Sequence, residues 1–219
     1  LVGDALGVDT KVVPMEPPDI LTAPADGTAD LAFPLIAVTE KLVRRAPGRG
    51  YALIDPFYVA HQRLLVPEDS SIEQVDDLTG LVCQYVDEET GVDLSELNPE
   101  VRTSSPPDPH TCLTDLEKGR IQAISASDWL LFPLRAEGRD LKIVGDDLTT
   151  EAYSPVVESG ASAWVDFVEG VLAEADAEGD WQRFYSEWFE PLGGTETTYP
   201  DMTIEEAAAL FPKEVASPT

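Results

Sequence analysis

The chain has 219 residues, and 43% of them are hydrophobic, which is ordinary for a globular core and too high for a disordered chain. Its 42 acidic and 14 basic residues give a net charge of −28, which disfavours partners such as nucleic acid or anionic lipid. No stretch reaches the roughly 18 apolar residues of a membrane span, and no signal peptide is visible from Leu1 onward. We therefore expect a solvated surface, for which adaptation to salt is one explanation.

The first half of the chain contains predicted strands at residues 30–33, 61–66 and 81–86. Pro67 stops the second strand. A short helix is predicted over 71–78, because Ser71 and Gln74 fit a capping box and Gly80 closes the following turn.

Positive charge is concentrated between residues 41 and 63. Five of the 14 cations fall in these 23 residues, with only Asp55 opposing them: Lys41, Arg44, Arg45, Arg49 and Arg63. A guanidinium group meets a carboxylate through two parallel hydrogen bonds, so this region could hold an anionic group of a ligand. The alternative is a basic loop without a ligand.

The second half begins with a helix for which Asp108 is the predicted cap and Pro109 the first residue. A strand at 121–126, a helix at 128–134 and a strand at 141–145 follow. This alternation predicts an α/β fold with a parallel sheet covered by helices. The last third is predicted to be helical around 164–175, after Asp180 and from Thr203, and its aromatic residues are interpreted as core.

Cys83 and Cys112 lie 29 residues apart and lack the spacing of a zinc or thioredoxin-like motif. They could form one disulfide in an oxidising compartment or remain two buried thiols. With only two histidines, His61 and His110, we expect no metal site, and we expect no cofactor. Motifs for hydrolase, metalloprotease or phosphate-binding activity are absent from the sequence, so an enzyme is not predicted.

Five segments, in order over residues 29–193, resemble the extracellular solute-binding proteins that serve amino-acid ABC importers (bacterial solute-binding family 3). The segments are Ala29–Ala32, Ile54–Val59, Ser71–Gly80, Leu116–Ala123 and Leu148–Tyr153, the last followed by paired helices and Trp188-Phe189.

This resemblance implies a two-lobed periplasmic-binding-protein-like type II fold, in which each lobe is a mostly parallel sheet flanked by helices. The first lobe would comprise residues 1–61 and 154–219, and the second lobe residues 62–150. Hinge segments would lie near 61–65 and 148–153, and the lobes would close around a ligand. Cys83 and Cys112 would both fall in the second lobe, where a disulfide between them is expected.

The resemblance also implies candidate binding residues. Thr39 matches the threonine of the family's T-x-x-R segment, but the arginines follow later, so Arg44 or Arg45 is expected to bind the ligand carboxylate. Thr90 is the nearest match to a glycine-threonine pair that binds the carboxylate through free backbone N–H groups.

The aspartate that binds the ligand ammonium falls at Ser127 or Asp128. Either Asp128 has taken over this role, or the ammonium site is gone and the ligand need not be an α-amino acid.

Residues 1–14 resemble the end of the family's first helix and its second strand, so the first strand is expected to be missing. The predicted function is capture of an amino acid or small organic acid for an ABC permease by a monomeric protein. The expected location is extracellular or at the cell surface, with or without a lipid anchor, or periplasmic where there is an outer membrane. The alternative is a ligand-sensing or degenerate scaffold domain of a receptor or surface assembly.

Overall fold

The computed structural model describes residues 1–15, 17–86, 90–192, 194 and 198–211. The helices are α1 (Val2–Leu6), α2 (Pro17–Ile20), α3 (Glu40–Arg45), α4 (Leu94–Leu97), α5 (Pro109–Glu117), α6 (Asp128–Glu137), α7 (Ser162–Ala177), α8 (Asp180–Trp188) and α9 (Ile204–Ala209). The strands are β1 (Tyr51–Leu53), β2 (Tyr58–Ala60), β3 (Gln62–Pro67), β4 (Leu81–Tyr85), β5 (Arg102–Ser104), β6 (Ala123–Ser127), β7 (Leu141–Val144), β8 (Glu151–Tyr153) and β9 (Val156–Glu158). None of the described helices is both long and apolar enough to cross a membrane.

The chain forms two compact units. Unit 1 comprises Leu1–Val59, Glu151–Phe184 and Thr197–Thr219, and unit 2 comprises Ala60–Thr150 and Tyr185–Glu196. Our predicted first lobe included 185–196, whereas the structure groups this segment with unit 2. The physical reason is aromatic packing within unit 2, where the Phe189 ring lies 5.7 Å from the Phe132 ring of α6. The lobe and hinge boundaries otherwise stay predictions.

Unit 1 contains two short two-stranded sheets, β1 with β9 and β2 with β8. The predicted strand at 30–33 is reduced to one bridge, in which Ala32 pairs with Val156. Residues 1–14 were expected to contain the end of a helix followed by a strand; α1 is present, but residues 8–14 lie outside helices and strands. The last helix is as predicted, because the Thr203 hydroxyl accepts a hydrogen bond from the Glu206 backbone N–H (3.3 Å) and the Glu206 carboxylate accepts one from the Thr203 N–H (2.9 Å).

Unit 2 is built on a five-stranded sheet in the order β5-β4-β6-β3-β7. Strands β5 and β6 run parallel to β4, whereas β3 runs antiparallel to both of its neighbours, β6 and β7. The sheet is therefore mixed: four of its five strands run in one direction, as expected of a mostly parallel sheet, and only β3 runs in the opposite direction. Helical connections keep consecutive strands parallel from β4 to β7, but β3 reaches β4 through an irregular segment and is inserted between β6 and β7 in the opposite direction.

The segment before β4 differs from prediction. Instead of a helix over 71–78, only a 3₁₀ turn at Val75–Asp77 forms. The carboxylate of Asp77 accepts hydrogen bonds from the N–H groups of Glu73 (2.9 Å) and Gln74 (3.1 Å). These bonds replace those that a helix would supply, so Ser71 has no helix to cap.

The disulfide expected between Cys83 and Cys112 is present and confirms that prediction. It joins β4 to α5, which begins at Pro109 after the Asp108 cap, as predicted. Both cysteines are 1% exposed and pack in a core cluster with Leu65 and Ile124. The bond thus lies inside unit 2.

The charge imbalance predicts that salt stabilises the fold. Since 42 acidic residues face 14 basic ones, most carboxylates cannot pair with a cation. Raising the sodium chloride concentration from 0.1 to 1 M shortens the screening length from about 10 Å to about 3 Å. We expect the melting temperature to rise by about 2–4 °C for each 1 kcal/mol of relieved repulsion. Potassium chloride should act equally, and a flat or falling melting temperature would contradict this account.

An exposed histidine joins two helices of unit 2 and makes their stability depend on pH. His110 Nδ1 lies 3.1 Å from an Asp108 oxygen, and His110 Nε2 lies 3.1 Å from a Glu137 oxygen. The hydrogen bond to Asp108 and the charge of Glu137 raise the pKa of His110. Because the folded-state pKa is the higher one, the contribution is complete below the unfolded-state value of about 6.5 and is lost as pH rises through the folded-state pKa.

We therefore expect NMR titration of the His110 ring to give a pKa above 6.5 that returns toward this value in Glu137→Gln. Unfolding of His110→Gln should lack the corresponding loss of stability on going from mildly acidic to alkaline pH. A normal His110 pKa in the unmodified protein would contradict the ion-pair geometry.

Candidate functional site

The candidate residues of unit 1 belong to α3. Thr39 is 7% exposed and caps this helix, because its hydroxyl accepts a hydrogen bond from the Leu42 N–H at 3.1 Å. Arg44 and Arg45 lie in the last turn and are exposed. At about 100° per residue, they are rotated roughly 140° and 240° from Thr39, so α3 does not bring the threonine and the arginines to one face.

The arginines differ in what surrounds them. Neither Arg44 nor Arg45 has an ion-pair partner among the described residues. Burial raises the pKa of the Tyr51 phenol, and the charges of Arg49 and Arg45 oppose this shift. Arg63, the other arginine of the basic region, instead donates from Nη2 to the Gly145 carbonyl at 3.0 Å.

The candidate residues of unit 2 are buried. Ser127 (9% exposed) ends β6, and Asp128 (8% exposed) begins α6, where its N–H donates to the His61 carbonyl at 2.9 Å. A carboxylate in the first turn of a helix is stabilised by the helix dipole. The turn therefore presents a buried negative charge beside a hydroxyl.

Tyr185 is close to this turn. Burial raises its pKa to about 12, and the negative charges of Asp128 and Glu190 add to the shift. The tyrosine was interpreted from the sequence as a core residue, and it is 5% exposed. Its phenol therefore stays neutral and supplies a polar group near Asp128.

Thr90 is 7% exposed and lies four residues before α4. Backbone N–H groups after it are already hydrogen-bonded. Val92 donates to Gln62 (2.7 Å), Leu94 to Gln84 (3.0 Å) and Ser95 to Asp93 (2.9 Å). The free helix N-terminus expected for carboxylate binding is therefore not found at these three positions.

Sequence reasoning missed the polar residues that support this part of unit 2. Gln62 and Ser125 are fully buried, and the Gln62 Nε2 donates to the Ser125 hydroxyl at 2.9 Å. The Thr149 hydroxyl accepts a hydrogen bond from the Gln62 backbone N–H at 2.8 Å. A glutamine at the start of a strand whose last four residues are apolar is a signal that could have drawn attention to it, because a buried amide needs partners.

Among the residues that the structure describes, no group of three or more His, Cys, Asp and Glu side chains is arranged to hold a metal ion. The polar residues of unit 2 include a carboxylate, hydroxyls and an amide. Such groups can recognise the charged and polar ends of a small organic molecule.

Solved structures with a similar fold include proteins described as binding amino acids. An ancestral cationic amino-acid solute-binding protein superposes with a TM-score of 0.69 at 18% identity, covering 86% of this chain and 81% of that one. A second substrate-binding domain of a putative amino-acid ABC transporter from Streptococcus pneumoniae Canada MDR_19A gives 0.66 at 17% identity, covering 85% and 84%. At these identities the similarity shows the fold, an α/β fold of the periplasmic-binding-protein type.

Relatives found by sequence similarity belong to the same class of proteins as these solved structures. The glutamine-binding protein GlnH of an ABC transporter from Bacillus subtilis (strain 168) is 23% identical over 167 residues, which is 75% of this chain. The match spans 59% of that relative's length. The sequence pattern of the bacterial extracellular solute-binding proteins, family 3, matches residues 1–191. The chain therefore belongs to the bacterial extracellular solute-binding proteins of family 3.

Proposed function

We propose that this chain is an extracellular substrate-binding protein that captures a small carboxylate-bearing ligand, namely an amino acid, for an ABC importer. It acts by binding and not by catalysis, and its partners are the ligand and the permease of the importer. We further propose that it works as a monomer outside the cell or at the cell surface.

The observation that carries this proposal is the buried carboxylate of Asp128, which begins α6 among buried polar groups of unit 2. A buried carboxylate is stabilised by a cation or by hydrogen bonds. The ammonium group of an amino acid is attracted to such a carboxylate, whereas a simple organic acid adds a second negative charge. The position therefore favours an amino acid over a small organic acid.

Arg44 or Arg45 is our proposed partner for the ligand carboxylate, since both are cations without an ion-pair partner among the described residues. Replacing the responsible arginine with alanine should weaken amino-acid binding about 10-fold or more, because a charge-assisted hydrogen bond contributes about 1.5–3 kcal/mol. Arg49→Ala is the matched control, being an exposed arginine in the turn after α3. Unchanged affinity in both single variants would remove these arginines from the site and leave the binding function standing.

A thermal-shift panel tests the proposed function. It should include L-glutamine, L-arginine, L-glutamate, L-aspartate and succinate, with the D-enantiomers as controls. A ligand at 100 times its dissociation constant adds about 2.7 kcal/mol to the free energy of unfolding. For a chain of this size that is a rise of about 5–11 °C in melting temperature. The absence of a shift with every L-amino acid at millimolar concentration would contradict the proposal.

A further inference from the structure

Gln62 is a fully buried amide at the start of β3. Its Nε2 donates to the Val92 carbonyl and to the Ser125 hydroxyl, both at 2.9 Å, and its Oε1 accepts from the Val92 N–H at 2.7 Å. The side chain therefore binds both backbone polar groups of Val92, as a neighbouring strand would do. These bonds offset the cost of burying the amide, which is about 1–3 kcal/mol when it is left unbonded.

The backbone of Gln62 holds a different part of unit 2. Its N–H donates to the Thr149 hydroxyl at 2.8 Å, and its carbonyl accepts from the Leu148 N–H at 3.0 Å. In the preceding residue, His61, the Nδ1 atom lies 2.8 Å from the Thr149 carbonyl oxygen. The His61 carbonyl accepts a hydrogen bond from the Asp128 N–H at 2.9 Å. The dipeptide His61-Gln62 thus connects β6, the segment around Val92 and the segment 148–149.

Two of the three candidate binding residues of unit 2, Asp128 and Thr90, lie in or beside segments that this dipeptide holds. Asp128 is bonded to His61 through its backbone, and Thr90 lies two residues before Val92, which Gln62 holds. Volume alone does not explain a glutamine here, because an apolar side chain of similar size would fill the same space without a buried amide to satisfy.

We propose that Gln62 is a positioning residue for ligand binding, which fixes the segment from Thr90 to Val92 and joins it to the segment 148–149. This inference rests on the proposed function. Without the amide, the N–H and the carbonyl of Val92 each lose their hydrogen bond to Gln62. Ordering the segment from Thr90 to Val92 on binding then costs free energy, which lowers the affinity for the ligand. The ligand itself does not touch Gln62.

The first test needs no ligand. Amide hydrogen exchange of the free protein should show that Gln62→Met accelerates exchange of the Val92 N–H about 10-fold or more. The matched control is Gln122→Met, which removes a similar amide-to-backbone bond, from the Thr79 N–H at 3.0 Å, at the other end of β6. The control should accelerate exchange at Thr79 and leave Val92 unchanged. Unchanged exchange at Val92 in Gln62→Met would overturn the proposal.

The second test measures affinity for L-glutamine by calorimetry. Gln62→Met should raise the dissociation constant about 10-fold or more, whereas Gln122→Met should leave it unchanged. Gln62→Glu adds a readout that a packing role would not produce, because a protonated carboxyl group can again donate to the Val92 carbonyl. Its affinity relative to the unmodified protein should therefore recover as pH falls from 8 to 5.

The outcomes separate this proposal from the proposed function. Faster exchange at Val92 with unchanged affinity would overturn the positioning role while leaving amino-acid binding in place. If the unmodified protein does not bind L-glutamine, that choice of ligand fails, and the exchange measurement still decides whether Gln62 fixes the segment.

Discussion

Replacing both cysteines with alanine should lower the free energy of unfolding by about 3.5 kcal/mol. Cys83 and Cys112 are separated by 29 residues, and their Cα atoms lie 5.8 Å apart. A cross-link over a loop of this length restricts the unfolded chain far more than the folded one. The loss should therefore appear as reduced stability with little change in the folded structure.

Urea denaturation followed by circular dichroism measures this loss in the double variant Cys83→Ala/Cys112→Ala. Because both cysteines are 1% exposed, dithiothreitol should not reduce the folded protein quickly, and this treatment serves as a control. Thiol labelling of the denatured, unreduced protein should find no free cysteine. A loss below about 1 kcal/mol would show that the bond adds little to the stability of unit 2.

Replacing Asp128 with asparagine should weaken binding of the preferred L-amino acid about 30-fold or more. Removing one partner of a buried charge pair costs about 2–5 kcal/mol, and about 1.4 kcal/mol corresponds to a factor of ten. Asparagine keeps the size of the side chain but removes the charge that would meet the ligand ammonium. The effect should therefore be on affinity more than on folding.

Calorimetric titration with the preferred L-amino acid measures the dissociation constants of Asp128→Asn, Asp147→Asn and the unmodified protein. Asp147 is the matched control, because it is a half-exposed carboxylate of the same unit near His61 and Arg63. The Tyr185 pKa, raised to about 12 in the unmodified protein, should fall in Asp128→Asn and report that the charge has been removed. Equal affinities in the unmodified protein and Asp128→Asn would show that the ammonium is bound elsewhere.

Sequence patterns within a few residues were sufficient to predict many of the helices and strands of unit 2. The Asp108 cap followed by Pro109 defines the start of α5, and a run of apolar residues defines β4. Each signal depends on residues within a few positions, where sequence patterns are most informative. The direction of β3 could not be obtained in this way, because it is decided by pairing with strands about 60 and 80 residues later.

The candidate site was only partly accessible from sequence for a similar reason. Asp128 and Thr90 were identified by resemblance, and the structure shows both buried. Gln62 was missed because its partners, Val92 and Ser125, lie 30 and 63 residues away. The separation of Thr39 from the arginines becomes apparent only once α3 fixes the rotation between them.

Equilibrium dialysis of the purified chain against labelled L-amino acids tests the central claim, amino-acid binding, most directly. We predict saturable binding of at least one L-amino acid at one site per chain, displaced by the same unlabelled amino acid and not by its D-enantiomer. No saturable binding of any of the common L-amino acids up to millimolar concentration would contradict the account.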